Sequence, residues 1–170
     1  MLRLSRIETM IDLVYVPDDV LVTKASPVKE IDEETKDLAV RMIEAVQHYE
    51  GIGLAAPQVN VLQRMFIVYL RDDKPRVFIN PEILETSMEE NVIEEGCLSI
   101  PGIYAEVKRP AEVSVQAFDQ RGKPFTLEAE GMLARVIQHE YDHLNGVLFT
   151  DHLSDGKRQR LMKKYRKPVS

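Results

Sequence analysis

Residues 129–144 read Ala129-Glu130-Gly131-Met132-Leu133-Ala134-Arg135-Val136-Ile137-Gln138-His139-Glu140-Tyr141-Asp142-His143-Leu144 and are followed by Asn145-Gly146. The spacing predicts a helix over this stretch, stopped by the Asn-Gly pair. At about 100° per residue, Met132, Val136, His139, Glu140 and His143 share one arc of its surface, and Leu133, Ile137 and Leu144 occupy the neighbouring arc. One arc can therefore pack into a core while the other leads along an apolar floor to two imidazoles one turn apart. Histidines at this spacing can grip one metal ion, with the carboxylate of Glu140 beside them to handle protons. The H-E-x-x-H pattern fixes only three positions, so the rest of the chain has to supply a further ligand.

Zinc proteases built on this pattern recruit that ligand from downstream. Here the only later histidine is His152, whose spacing does not extend the motif, and neither Asp151 nor Asp155 stands in a recognisable ligand context. His152 and His48 are expected on solvated surfaces. The alternative lies upstream, in Glu94-Glu95-Gly96-Cys97-Leu98-Ser99-Ile100-Pro101-Gly102. A lone cysteine among small residues is compatible with buried filler. Beside two imidazoles, its thiolate would complete a soft tetrahedral site with one open position for water. A third segment, Gly51-Ile52-Gly53-Leu54-Ala55-Ala56-Pro57-Gln58-Val59, has glycines that permit close backbone approach and an amide donor, Gln58, in an apolar run.

Around these segments the chain reads as α+β. Ile31 to Glu50 is expected to be a helix, with Asp32 as its N-cap, Leu38, Met42, Ala45, Val46 and Tyr49 at helical spacing, and Gly51 as its stop. Short β-rich runs follow: Met65 to Leu70, Arg76 to Asn80 (ended by Asn80-Pro81), and Glu112 to Phe118, turned by Asp119-Gln120-Arg121-Gly122 onto Phe125 to Glu128. A third helix is expected from Ser154 to about Arg166, ahead of Pro168. Helices and strands are segregated rather than alternating, which favours short antiparallel sheets packed with helices over a doubly wound sheet.

The 170 residues, 44% of them apolar, suit a single domain with a sizeable core. The formal charge of −6 argues against a dedicated nucleic-acid binder. One cysteine excludes an internal disulfide and points to a reducing, cytoplasmic compartment. No window is apolar for long enough to span a membrane, and Met1 to Thr9, though it carries Arg3 and Arg6, lacks the apolar core of a secretory signal. Seven of the 22 basic residues crowd between Lys157 and Lys167, as on a solvated helix face.

Together, Gly51-Ile52-Gly53-Leu54-Ala55-Ala56-Pro57-Gln58, Glu95-Gly96-Cys97-Leu98-Ser99 and Gln138-His139-Glu140-Tyr141-Asp142-His143 resemble, in order and separation, the three signature motifs of peptide deformylase. The likeness runs from about Asp12 to the C-terminus. It implies a peptide-deformylase-like fold, with sheets around a central helix carrying H-E-x-x-H and a C-terminal helix. Residues 1–170 would form one catalytic domain, with 1–9 as an N-terminal extension and 154–168 as a basic helix. The implied activity is hydrolysis of the formyl group from the N-terminal formyl-methionine of new proteins.

The resemblance further makes Cys97, His139 and His143 the metal ligands, Glu140 the general acid and base, and Gln58 with the backbone N–H of Leu98 the oxyanion hole. Gly53 would pair with substrate backbone, while Ile52, Met132 and Val136 would line the methionine pocket. The ion implied in the cell is Fe²⁺, with Zn²⁺, Ni²⁺ or Co²⁺ in a purified sample. The implied partners are N-formyl-methionyl nascent chains and, through the basic C-terminal helix, the ribosome. No membrane or DNA partner is expected. Two departures stand out: Tyr104 replaces a basic residue common in relatives, and Arg135 is expected at the pocket edge, neither touching the chemistry. Taken on the residues alone, an ordinary H-E-x-x-H peptidase and a metal-stapled binding module remain open alternatives.

Overall fold

The structure, a computed structural model, describes residues 9–169, so all of the expected N-terminal extension except Thr9 lies outside it. Helix α1 spans Glu33–His48. The Asp32 side chain accepts the Thr35 N–H at 2.9 Å, which satisfies one of the donors left over at a helix start. Gly51 follows the helix as expected, but Glu50 rather than Gly51 takes the left-handed turn, at φ 56°. A Cβ at Gly51 would sit 2.8 Å from Cδ1 of Leu98, so that side chain would have to shift to admit one.

Five strands form one antiparallel sheet: β1 Gly53–Ala55, β2 Met65–Val68, β3 Arg76–Thr86, β6 Glu112–Phe118 and β7 Pro124–Glu130, in the spatial order β1-β2-β3-β6-β7. β4 Glu90–Cys97 and β5 Ile100–Pro110 make a separate two-stranded hairpin. The sheet is covered on both faces. Met65, Ile67 and Ile79 pack on Met42, Ala45 and Val46 of α1, and Phe66, Val68 and Phe78 pack against Val136, Ile137 and Leu144 of helix α2, Gly131–Leu144. This two-sided burial explains why β2 reads as an unbroken apolar run instead of alternating. Each such fully buried side chain contributes about 1.5–3 kcal/mol of burial free energy. α2 therefore sits centrally, with the sheet on one side and the β4–β5 hairpin on the other.

Two expectations change. β3 does not end at Asn80-Pro81 but continues to Thr86. Its register with β6 shifts between Ile79 and Glu82, so Pro81 falls where the ladder is interrupted and its missing N–H breaks no bond. Asn80, at φ 50°, instead bonds the backbone of Val28 through both side-chain atoms. The C-terminal helix α3 is shorter than expected, Asp155–Met162 with Ser154 as N-cap, not a helix to 166 or 168. Lys163, Lys164, Arg166 and Lys167 repel one another along a helix, and Tyr165 turns back to donate its hydroxyl to Val16 O at 2.8 Å.

The β4–β5 hairpin was not among the expected strands, although Ile103 to Lys108 of β5 alternates buried and exposed. The inner face of β4 is Asn91, Ile93, Glu95 and Cys97, with the buried Glu95 turned toward α2 while Val92 stays exposed. Polar residues stand inward because their partners come from other elements.

Candidate active site

The β4–β5 turn, Leu98-Ser99, and the bulge at Gly96 and Cys97 bring Cys97 over the buried face of α2. Cys97 Sγ lies 3.4 Å from Nε2 of His143, and the ligand atoms of Cys97, His139 and His143 all fall within 4.8 Å of one another. A thiolate and two imidazoles so arranged match the donor set and the ligand-to-ligand separations of a tetrahedral metal centre with one position left open. Burial, followed by the charge of His139, holds His143 well below its ordinary pKa, in the neutral form that a metal ligand needs.

His139 is held by a second residue. Glu95 Oε1 lies 2.8 Å from its Nδ1, which leaves Nε2 to face the ligand cluster. Burial opposes charge on this ring, but the hydrogen bonds it donates to Cys97 and Glu95 prevail and raise its pKa. Glu95 in turn is buried and pushed up by burial, yet its bonds to His139 and Arg109 outweigh this and keep it ionised well below the usual carboxylate range. Arg109 donates to Glu95 at 2.7 and 3.0 Å and to Asp142 at 2.8 Å, and Asp142 also meets His152 Nε2 at 2.8 Å. His152 is thus at the surface, as expected, but is paired there; His48 is exposed.

Glu140 is 3% exposed, and burial pushes its carboxyl up to about 7. Its Oε2 is buried and has no hydrogen-bond partner among the described residues, and its Oε1 stands 4.0 Å from Nε2 of His139. An unpaired buried carboxylate oxygen beside three atoms that could hold a metal is arranged to exchange a proton with something that enters the site.

That entrance is a cavity of about 410 Å³. Gln58, Cys97, Leu98, His139 and Glu140 line its inner end, and Ile52, Gly53, Met132 and Val136 its sides. Ile52 is 44% and Met132 45% exposed, so apolar surface waits at the mouth while Val136 is buried below. Gln58 Oε1 accepts the Ala55 N–H at 2.9 Å, which fixes the amide so that Nε2 points to Ser99 Oγ at 3.1 Å and Cys97 Sγ at 3.5 Å. Nine of the ten residues expected to form a site therefore line this one cavity, and the tenth, His143, is buried behind it against Cys97 and His139.

Arg135 borders the cavity, as expected, but its side chain is buried at 3% exposure and donates to Glu95. Glu95, Arg109, Arg135 and Asp142 were not singled out as functional from the sequence. Periodic signals pointed to two of them: Glu95 stands two residues before Cys97 on the same strand face, and Arg135 four before His139 on the same helix face.

The family profile described as polypeptide deformylase matches residues 10–159. The chain belongs to the polypeptide deformylase family. The peptide deformylase of Chromohalobacter salexigens is 52% identical over 153 residues, covering 89% of this chain and 90% of that protein. That of Borreliella burgdorferi is 46% identical over 157 residues, covering 91% and 94%. Among solved structures, a peptide deformylase from Legionella pneumophila superposes with a TM-score of 0.88 at 40% identity, covering 92% of this chain and 93% of that one. One from Synechococcus elongatus in complex with actinonin gives 0.87 at 42%, covering 91% and 86%. The peptide-deformylase-like α+β fold expected from the three motifs is thereby established. The chain is a metal-dependent hydrolase of the deformylase family, whose members remove the formyl group from N-terminal formyl-methionine.

Proposed function

We propose that Cys97, His139 and His143 hold the metal and that Glu140 is the proton-transfer residue in deformylation of N-formyl-methionyl nascent chains. The observation that carries this reading is the unpartnered, buried Oε2 of Glu140 beside three ligand atoms within 4.8 Å. A divalent ion held there supplies Lewis acidity, which makes water more acidic and polarises the formyl carbonyl. Fe²⁺ is the ion we propose in the cell; Zn²⁺, Ni²⁺ and Co²⁺ fit the same donors in a purified sample.

Glu140 accepts a proton from the attacking water as its oxygen adds to the formyl carbon. A carboxyl with a pKa near 7 is well matched to both halves of a proton relay at neutral pH. Negative charge develops on the formyl oxygen, and the Gln58 amide and the Leu98 backbone N–H donate to it. Gln58 is pre-aimed by its bond to Ala55, so little reorganisation is needed. Glu140 then returns the proton to the leaving nitrogen as the C–N bond breaks, which yields formate and a free amino-terminal methionine. Gly53 aligns substrate backbone, and Ile52, Met132 and Val136 receive the methionine side chain.

The test is formate release from formyl-Met-Ala-Ser by protein loaded anaerobically with Fe²⁺, with the acetylated peptide and a chelated sample as controls. Metal-dependent formate release without deacetylation supports the reading; cleavage of unformylated peptides would replace it with a peptidase.

We further propose that the chain acts as one catalytic domain in the cytoplasm, where a reducing environment preserves the lone thiol ligand. Lys157, Arg160, Lys163 and Lys164 line an open groove of about 580 Å³ along the C-terminal segment, a surface suited to phosphate contacts on the ribosome. Ribosome binding that persists after removal of residues 154–170, without salt dependence, would overturn that part.

A further inference from the structure

The β4–β5 hairpin makes no ladder with the five-stranded sheet. Its base, where the chain leaves β3 and enters β6, is closed by Ser87 N to Glu112 O and Ala111 N to Glu89 O, and its turn is tied by Val16 N to Ser99 O. Between those ties, no sheet ladder fixes the distance from the strand that carries Cys97 to the helix that carries His139 and His143. Side chains fix it.

Arg135 is the residue on α2 that spans this gap most fully. Nη1 donates to Glu95 Oε2 at 2.7 Å and to Val107 O at 2.8 Å, and Nη2 donates to Asn91 Oδ1 at 2.7 Å and Asn91 O at 3.0 Å. All four bonds cross from the helix to the hairpin. Arg109 makes the reverse crossing, from β5 to Asp142 on α2, while also gripping Glu95. Glu95 is thus pulled by two guanidiniums and by the ring of His139 at once. A planar fork satisfied on two sides resists rotation as well as separation, which a point charge would not.

We propose that Arg135 is a positioning residue for the metal centre: by bracing α2 against the β4–β5 hairpin and steering Glu95 onto His139, it sets the separation of Cys97 from the two histidines. The proposal rests on the reading of Cys97, His139 and His143 as the ligands. It assigns Arg135 no contact with the reacting atoms.

The experiment compares Arg135→Met, Arg135→Lys and Asn91→Ala with the parent protein, each loaded with Co²⁺. Three quantities are read: the visible absorption bands of the Co²⁺ protein, the rate of Co²⁺ loss to excess chelator, and kcat and KM on formyl-Met-Ala-Ser. Arg135→Met is expected to shift the Co²⁺ bands and lose the ion about 10- to 100-fold faster, the range typical of residues that orient metal ligands. It should also lower kcat while KM stays within about twofold. Lys at 135 restores one charge toward Glu95 and should recover part of the loss, and Asn91→Ala should move the same quantities less far. Unchanged bands and loss rate in folded Arg135→Met overturn the proposal, as does a change confined to KM, which would make Arg135 a pocket wall. If Arg135→Met fails to fold, Asn91→Ala decides by the same two metal readouts. Absence of formate release by the parent protein would refute deformylation itself while leaving the metal comparison intact.

Discussion

A Cβ placed on Gly53 would lie 2.8 Å from Oε1 of Glu140, and 2.7 Å from Cγ1 of Val136. Strand β1 is pressed onto α2 so closely that only the absence of a side chain leaves the carboxylate where it stands. Gly53→Ala should therefore displace Glu140, and a displacement near 1 Å can cost on the order of 10²-fold in rate. Overpacking should also cost about 1–3 kcal/mol of stability. Steady-state kinetics with thermal denaturation checks both; a variant with parental kcat would show that Glu140 tolerates the movement.

Glu140→Gln keeps the shape of the side chain and removes its ability to take a proton. The expected outcome is a fall in kcat of about 10²- to 10⁴-fold with the protein folded and its metal content unchanged. Metal analysis alongside formate release separates this from loss of the ion. Near-parental turnover would remove Glu140 from the proton path.

Gln58→Leu deletes the donor aimed at the site together with the acceptor of the Ala55 N–H. Loss of one oxyanion donor costs about 10²- to 10³-fold in kcat, with little change in KM. The orphaned buried N–H adds a stability cost of about 1–3 kcal/mol. A variant whose KM rises while kcat holds would make Gln58 a binding group.

Asp32 caps α1, and the backbone N–H and then the hydroxyl of Thr35 hold its carboxyl below the ordinary value of 3.8. A carboxyl depressed in the folded state stabilises fully above its unfolded pKa, and that contribution is lost as pH falls through the folded pKa. Asp32→Ala should thus lower Tm at pH 7, and the gap to the parent should close as the pH drops below about 4. Both proteins are compared metal-free, so that proton competition at the ligands does not enter. A gap independent of pH would mean that the cap acts without its charge.

What the sequence by itself determined is what repeats locally. The period of α2 places His139, Glu140 and His143 on one face, the Asp32 cap starts α1, and Asp119-Gln120-Arg121-Gly122 turns β6 onto β7. Each depends on neighbours within about one helical turn or one hairpin, so residue type and spacing carry the information.

Tertiary structure alone decided the rest. It brought Cys97 to 3.4 Å from His143 across 46 residues, let β3 run through Pro81 at a register shift, and unwound the basic segment after Met162 so that Tyr165 could reach Val16. Above all, it satisfied Glu95 with Arg109 from β5 and with Arg135 and His139 from α2. A buried charge is tolerable only with partners, and nothing near Glu95 in sequence announces them. The inward face of β4 therefore looked polar and strandless until α2 and β5 closed on it.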